Sequence, residues 1–234
     1  MSEIKLSKRM QAVADMVSGE YVADIGCDHA FVSAYLVQTG RARKVIAMDV
    51  KKGPVNIAKD NIATYGLVNQ IEVRLSDGFD KLEVGEADCA VIAGMGGPLM
   101  VRILQNGIRH LEHGIKLVLQ PQSDVGLVRT FLLECGYCIV DENMLIDEGK
   151  YYTVIKAESI GQREVLYSEE ELLYGPILLE KQDVVLKDYL LKQEQTNLQI
   201  IANLEKVCTK KSNNRIDEIN MQNKVIKKAL QKYT

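Results

Sequence analysis

The chain has 234 residues, with 29 Lys and Arg against 32 Asp and Glu, and is 47% hydrophobic. That length can bury a full core, with room for one large domain and a smaller appendage, and a net charge of -3 excludes a polycation. No apolar run reaches membrane-spanning length and the opening MSEIKLSKRM lacks the apolar core of a signal peptide, so a cytoplasmic protein without membrane contact is expected.

Residues 4–17 put Ile4, Leu6, Met10, Val13, Ala14 and Val17 at helical spacing and predict a helix that Gly19 stops. Lys5, Lys8 and Arg9 make one part of it basic. A strand over 21–25 follows, then Gly26, then a helix over about 31–39. In that turn Asp24 lies two positions before Gly26, and Asp28 stands where a dinucleotide fingerprint has its second glycine. An acidic side chain there repels a pyrophosphate, which disfavours NAD, and suits an ammonium group. A phosphate-free cofactor that joins adenosine to an amino acid fits better, with S-adenosylmethionine the obvious candidate; the plainer alternative is an ordinary turn that binds nothing.

A second strand, 44–49, ends in Asp49, placed to accept hydrogen bonds from ribose hydroxyls, and a helix over about 54–65 follows. The third strand, 71–75, runs into Ser76-Asp77-Gly78-Phe79, where Asp77 suits an adenine amine, although Asp-Gly is equally a plain turn signal. The fourth, 88–93, runs into Gly94-Met95-Gly96-Gly97, whose missing side chains admit a flat substrate. Next come a helix over 99–111, with His110 and His113 expected at the surface, a strand over 116–119 and a helix over 125–135. Segments 137–146 and 151–157 then flank a polar turn and read as an edge hairpin. The alternation predicts an α/β fold, the Rossmann-like seven-stranded sheet of a class I methyltransferase.

Five cysteines, Cys27, Cys89, Cys135, Cys138 and Cys208, are scattered and odd in number, against a disulfide framework. Cys135 and Cys138 form a C-x-x-C with no second pair at zinc spacing, and no metal is expected. From 168 onward Leu172, Leu186, Leu190, Ile201, Leu204 and Cys208 keep helical spacing. After a polar break at 209–214, Ile216, Ile219, Ile226, Leu230 and Tyr233 repeat, with Asn223 in the vacant place. Such spacing predicts an antiparallel two-helix coiled coil with a polar residue in its seam. Between Lys206 and the end, eight basic residues face two acidic ones, a local charge of +6. The division is therefore a cofactor domain over 1–161 and a helical coiled-coil domain over 162–234 that serves as an arm for a large substrate or as a dimerisation element, which leaves the oligomeric state open.

Leu6–Met10 (LSKRM), Asp24–Ala30 (DIGCDHA), Ser76–Phe79 (SDGF), Ala93–Gly97 (AGMGG), Leu119–Gln122 (LQPQ) and the helical tail together resemble the bacterial tRNA (adenine(22)-N1)-methyltransferase family, TrmK, along nearly the whole chain. Gln122 stands where that family is expected to carry Asn, and Asp49 where Glu is frequent; both changes keep the hydrogen-bonding chemistry. The resemblance implies S-adenosylmethionine as donor and N1 of adenine 22 in tRNA as acceptor. It assigns the donor to Asp24, Gly26, Asp28, His29, Asp49, Asp77, Gly78 and the Gly94–Gly97 loop. Gly94, Met95, Gly96, Gln120 and Gln122 are the expected positioning residues for the base, with no general base among them. Lys5, Lys8, Arg9, Lys210, Lys211 and Arg215 are the expected contacts to RNA phosphates. The alternatives are a methyltransferase for another RNA position and a non-catalytic RNA-binding protein on the same scaffold.

Overall fold

Short apolar runs, such as those of 21–25 and 89–93, lack the alternation of a half-exposed strand, because parallel strands covered on both faces need none. In a computed structural model, which describes residues 3–159, 161, 165–206 and 209–233, these runs become the middle of one sheet. Its strands are β1 (Tyr21–Ile25), β2 (Lys44–Asp49), β3 (Ile71–Leu75), β4 (Cys89–Met95), β5 (Lys116–Pro121), β6 (Tyr137–Asp147) and β7 (Lys150–Ser159). The seven lie in the order β3-β2-β1-β4-β5-β7-β6, with β1 to β5 mutually parallel and β7 antiparallel to both neighbours. This is the expected Rossmann-like arrangement with its edge hairpin.

Helices α1 (Lys8–Met16), α2 (Phe31–Gln38) and α3 (Lys52–Thr64) pack in one layer, and α4 (Gly97–Asn106), α5 (Ile108–Glu112) and α6 (Val125–Glu134) in another. Alternation along β4 serves both. Cys89 and Val91 join the apolar cluster of α1 to α3, whereas Ala90 and Ile92, equally buried, lie outside that cluster.

Differences from the sequence reading have identifiable causes. The first helix begins at Lys8 because Ser7 caps it, accepting from the Met10 N–H at 3.3 Å, while Ile4 enters the core ahead of the helix. The helix expected over 99–111 breaks at Gly107, where a Cβ would lie 2.2 Å from the Phe79 ring. Phe79 also stacks on His110 at 4.8 Å, so His110 is buried and its pKa lowered by desolvation, contrary to the expected surface position. His113 is exposed. Strands β4 and β5 run further than expected, to Met95 and Pro121, and their register slips between Ala93 and Met95.

The chain divides into two compact units, Met1–Val165 and Leu166–Thr234. The second contains α7 (Glu169–Tyr174), α8 (Pro176–Glu180), α9 (Val184–Glu205), α10 (Lys210–Leu230) and a short 3-10 turn, Gln231–Tyr233. Its long helices run antiparallel: Gln182 donates to the Lys232 carbonyl, the Tyr233 hydroxyl to that of Asp183, and Asn197 Nδ2 to Asn223 Oδ1 at 2.8 Å in the buried seam. Asn223 thus has a polar partner, one way a seam fixes register. The polar stretch at 209–214 is helix rather than break, because Thr209 and Ser212 form a capping box that starts α10. Cys208 lies outside the described residues.

One buried ion pair ties α6 to β6: Arg129 Nη2 and Glu142 Oε1 are 2.8 Å apart and both side chains are almost fully enclosed. Removing one partner strands a charge in a low-dielectric interior. We therefore expect R129A to lose about 3–5 kcal/mol of stability, read as a shift in the urea midpoint at constant slope; a loss within about 0.5 kcal/mol would mean that water reaches Glu142.

Candidate functional site

The turn after β1 is held open by backbone geometry. Gly26 has φ 76, and Asp28 and Ala30 also take positive φ, 50 and 57. Alanine in that region costs about 1–2 kcal/mol, so the surrounding bonds must enforce it. They do: the Gly26 and Cys27 N–H groups both donate to the Met48 carbonyl, at 2.8 and 2.9 Å, and Ala30 N–H donates to Cys27 at 2.7 Å.

Two acids of the predicted set meet at this turn. Asp49, at the tip of β2, accepts from the Asp28 N–H at 3.3 Å and the Lys51 N–H at 2.9 Å, and it remains partly exposed. Asp24 is buried and accepts from the Ser33 hydroxyl of α2. Burial raises its pKa from 3.8 to about 6; the Ser33 bonds pull it down and the nearby Asp49 charge adds to the rise.

Two adjoining cavities open here. One, of about 440 Å³, is lined by Arg9, Asp24, Gly26, Asp28, Gly94 and Gln122 among others. The second, of about 380 Å³, includes Asp49, Lys51, Asp77, Gly78, Arg102 and Ile103. Gly26, Asp28, Asp49 and Met95 border both. Met95 lies across the junction: a Cβ on Gly26 would sit 2.1 Å from its methyl carbon, so the glycine makes room for this side chain. Asp77 presents a carboxylate with no hydrogen-bond partner among the described residues, on a turn pinned by Ser76, whose hydroxyl donates to the Gly78 carbonyl at 3.0 Å. His29 is partly exposed, 3.6 Å from the Asp28 carboxylate.

At the tips of β4 and β5 the register slip makes Gly94 a bulge with φ 78. Its N–H donates to Gln120 Oε1 at 3.2 Å. Gln120 is fully buried, and its amide nitrogen donates to the Pro121 carbonyl, so it faces the protein and cannot reach a base directly. Gln122 is exposed and lines the larger cavity, with its backbone N–H donating to Met95 at 2.8 Å. Gly96 and Gly97 serve the backbone: a Cβ on Gly97 would lie 2.6 Å from the Ser123 carbonyl.

The expected phosphate contacts separate. Lys5 and Lys8 are exposed, but Arg9 turns into the larger cavity, donating to Gln120 Oε1 at 2.8 Å with its guanidinium 5.2 Å from the Tyr152 ring centre. Lys210, Lys211 and Arg215 are exposed on the first turns of α10, in the second unit, and Arg215 pairs with Glu218. Ser33, Tyr152, Lys51 and Arg102 were not anticipated, since nothing in their local sequence marks them. Among the described residues no group of three His, Cys, Asp or Glu is placed to hold a metal, and no helix is long and apolar enough to cross a membrane. A larger cavity of about 640 Å³, with Tyr21, Lys44 and Ile71 in its lining, sits at the amino ends of the strands. Ligands of open α/β sheets bind at the opposite, carboxyl ends, where the acids and glycines are.

The acid-rich, glycine-lined pair of cavities fits a cationic nucleoside bearing an amino acid. The comparisons agree. Residues 6–155 match the family model described as "Methyltransferase domain". The chain is 39% identical over 202 residues to the tRNA (adenine(22)-N(1))-methyltransferase of Bacillus subtilis, covering 84% of each. The crystal structure of the B. subtilis M1A22 tRNA methyltransferase TrmK superposes with a TM-score of 0.84 at 31% identity, over 97% of this chain and 99% of that one. M. capricolum TrmK, in complex with S-adenosyl-homocysteine, gives a TM-score of 0.85 at 25% identity over 98% and 99%.

Asp24 makes a testable contribution to stability. Its folded pKa of about 6 lies above the 3.8 of the model acid, so the neutral form favours folding: the contribution is complete below about pH 4 and is lost as pH rises through about 6. The shift corresponds to about 3 kcal/mol. D24N should therefore gain about that much relative to the parent between pH 4 and about pH 8 in urea titrations without ligand; an unchanged difference would mean that Asp24 ionises freely.

Proposed function

The chain belongs to the tRNA (adenine(22)-N1)-methyltransferase family, and on that premise we propose how its residues transfer a methyl group from S-adenosylmethionine to N1 of adenine 22 in tRNA. The observation that carries the proposal is the convergence of Asp24, Asp28, Asp49 and Asp77 on two joined cavities beside a glycine turn. The donor supplies a methyl group activated by a sulfonium. Asp24 and Asp28 take its ammonium, Asp49 accepts from its ribose hydroxyls, and Asp77 with Gly78 borders its adenine. Gly26 leaves backbone within reach, and His29 closes one side by packing. Asp24 and Asp28 match positive charge, Asp49 hydroxyl donors and Asp77 an amine donor, so the site disfavours dinucleotides electrostatically.

The acceptor nitrogen carries an in-plane lone pair and is mostly unprotonated at neutral pH. No strong base is needed, and the work left to the protein is in-line positioning and stabilisation of the charge that develops on the ring. The Gly94 bulge and the exposed Gln122 are the elements for this, with Met95 at the junction; Gln120 acts from behind by holding Gly94. Because N1 lies on the pairing edge, the nucleotide must be extruded to reach them. The exposed Lys5, Lys8, Lys210, Lys211 and Arg215 supply positive charge for RNA phosphates. A tRNA substrate also makes the cytoplasm the proposed place of action.

Mapping the modified nucleotide by mass spectrometry, after incubation of tRNA with enzyme and donor, tests the reaction. The expected product is N1-methyladenine at position 22, and methylation elsewhere or none at all would overturn the assignment. For the helical unit, the charge-reversed K210E/K211E/R215E variant should raise KM for tRNA by about 10-fold or more and flatten its salt dependence. Donor affinity, by calorimetry, should stay unchanged. An unaltered KM would remove these three residues from the RNA surface.

A further inference from the structure

The hairpin of α9 and α10 is built differently on the two sides of its buried amide pair. On the side of the chain terminus Leu186, Leu190, Ile226 and Ala229 are buried, α7 packs against α10, and α8 packs against the closing 3-10 turn. Gln182 donates to the Lys232 carbonyl at 2.6 Å, the Tyr233 hydroxyl to that of Asp183 at 3.0 Å, and the Lys187 ammonium lies 5.7 Å from the Tyr233 ring centre. Asn197 bonds to Asn223 midway. In that register one turn outward brings Ile201 level with Ile219, and the next brings Leu204 level with Ile216. Ile219 is fully buried, whereas the other three are half-buried. An amide layer in an apolar seam lowers the stability of a coiled coil even when it is hydrogen-bonded. Gln193, one turn inward, adds a buried amide oxygen with no hydrogen-bond partner among the described residues.

Charge also opposes closure of the outer half. Residues 206–215 carry four cations and no acid. Lys210 and Lys211 stand in the first turn of α10, which holds no acidic residue, so they oppose the helix dipole. Lys211 and Arg215 are like charges one turn apart. Glu218 answers Arg215 at 2.6 Å, but Lys206, Lys210 and Lys211 are exposed. The Thr209–Ser212 capping box fixes the start of α10 without relieving this repulsion. A polyanion lying along these cations relieves it, and gains most when the closed hairpin holds them together.

From these observations we infer that the hairpin is two cooperative units: an inner half that stays closed, and an outer half, residues 198–206 with 209–222, that opens independently and is driven shut by RNA phosphates. The Asn197–Asn223 layer is the boundary between them. This rests on the tRNA reading above and adds a folding step to it, since the arm is completed by its own substrate.

Hydrogen exchange read by mass spectrometry on the full chain, with and without tRNA, tests this. In the free protein, amides of 198–206 and 214–222 should be about 100-fold or more less protected than those of 186–192 and 225–230. Saturating tRNA should slow exchange in the outer segments by about 10-fold or more. The N197L/N223L variant, which makes the seam continuous, should raise outer protection by about 10-fold without tRNA. Equal protection of the two halves in the free parent overturns the proposal, and so does a step between the halves that N197L/N223L leaves unchanged. Protection of residues within 1–165 by tRNA, with none in the outer half, overturns the coupling to RNA while sparing the substrate reading. If tRNA protects no part of the chain, the substrate reading fails and the proposal with it.

Discussion

The Met48 carbonyl, which accepts from both Gly26 and Cys27, is the bond on which the site depends. Strands β1 and β2 pair in parallel through Ile25 and Met48, and these two amides carry the pairing past the end of β1 into the turn. The fork fixes the chain reversal that puts Asp28 and Ala30 at positive φ. Asp49, the next residue along β2, then completes the clamp by accepting from Asp28 N–H. A turn without these anchors would relax, because alanine does not stay in the left-handed region unaided.

Electrostatics at this clamp oppose folding and favour binding. Asp24 is desolvated enough for its pKa to reach about 6, and its hydroxyl partner, Ser33, offsets only part of that cost. The empty site is therefore less stable than a neutral version of itself, whereas a cationic ligand recovers the energy when it brings an opposite charge into the same low-dielectric space. Arg9 lines the same cavity of about 440 Å³ as Asp24, Asp28 and Asp49.

At the tip of β4 the local shape is set by a bulge. Register slips between Ala93 and Met95, which turns the Gly94 N–H away from the strand ladder and onto the side chain of Gln120. One buried amide thereby sets both the shape of the β4 tip and the position of the Arg9 guanidinium. Gln120 Oε1 thus joins the Gly94 bulge to Arg9 through a side chain that is itself fully buried.

Much of this was legible in the chain itself. Strand and helix order, the edge hairpin, the acids at the strand tips and the antiparallel pairing of the long tail helices followed from periodicity and from residues such as Gly26, Asp28 and Asn223, whose chemistry restricts local backbone or local charge. What the sequence alone left undetermined depends on which side chains meet across the fold. Gly107, where one helix ends, has no room for a side chain because the Phe79 ring, far away in the chain, lies against it. Gln120 reads as a substrate-binding amide until its burial is known, and Arg9 reads as one more surface cation beside Lys5 and Lys8 until β5, β6 and β7 draw it inward. Helical or strand periodicity reports which face a residue occupies, but whether that face ends in solvent or in a site is settled only when the sheet assembles.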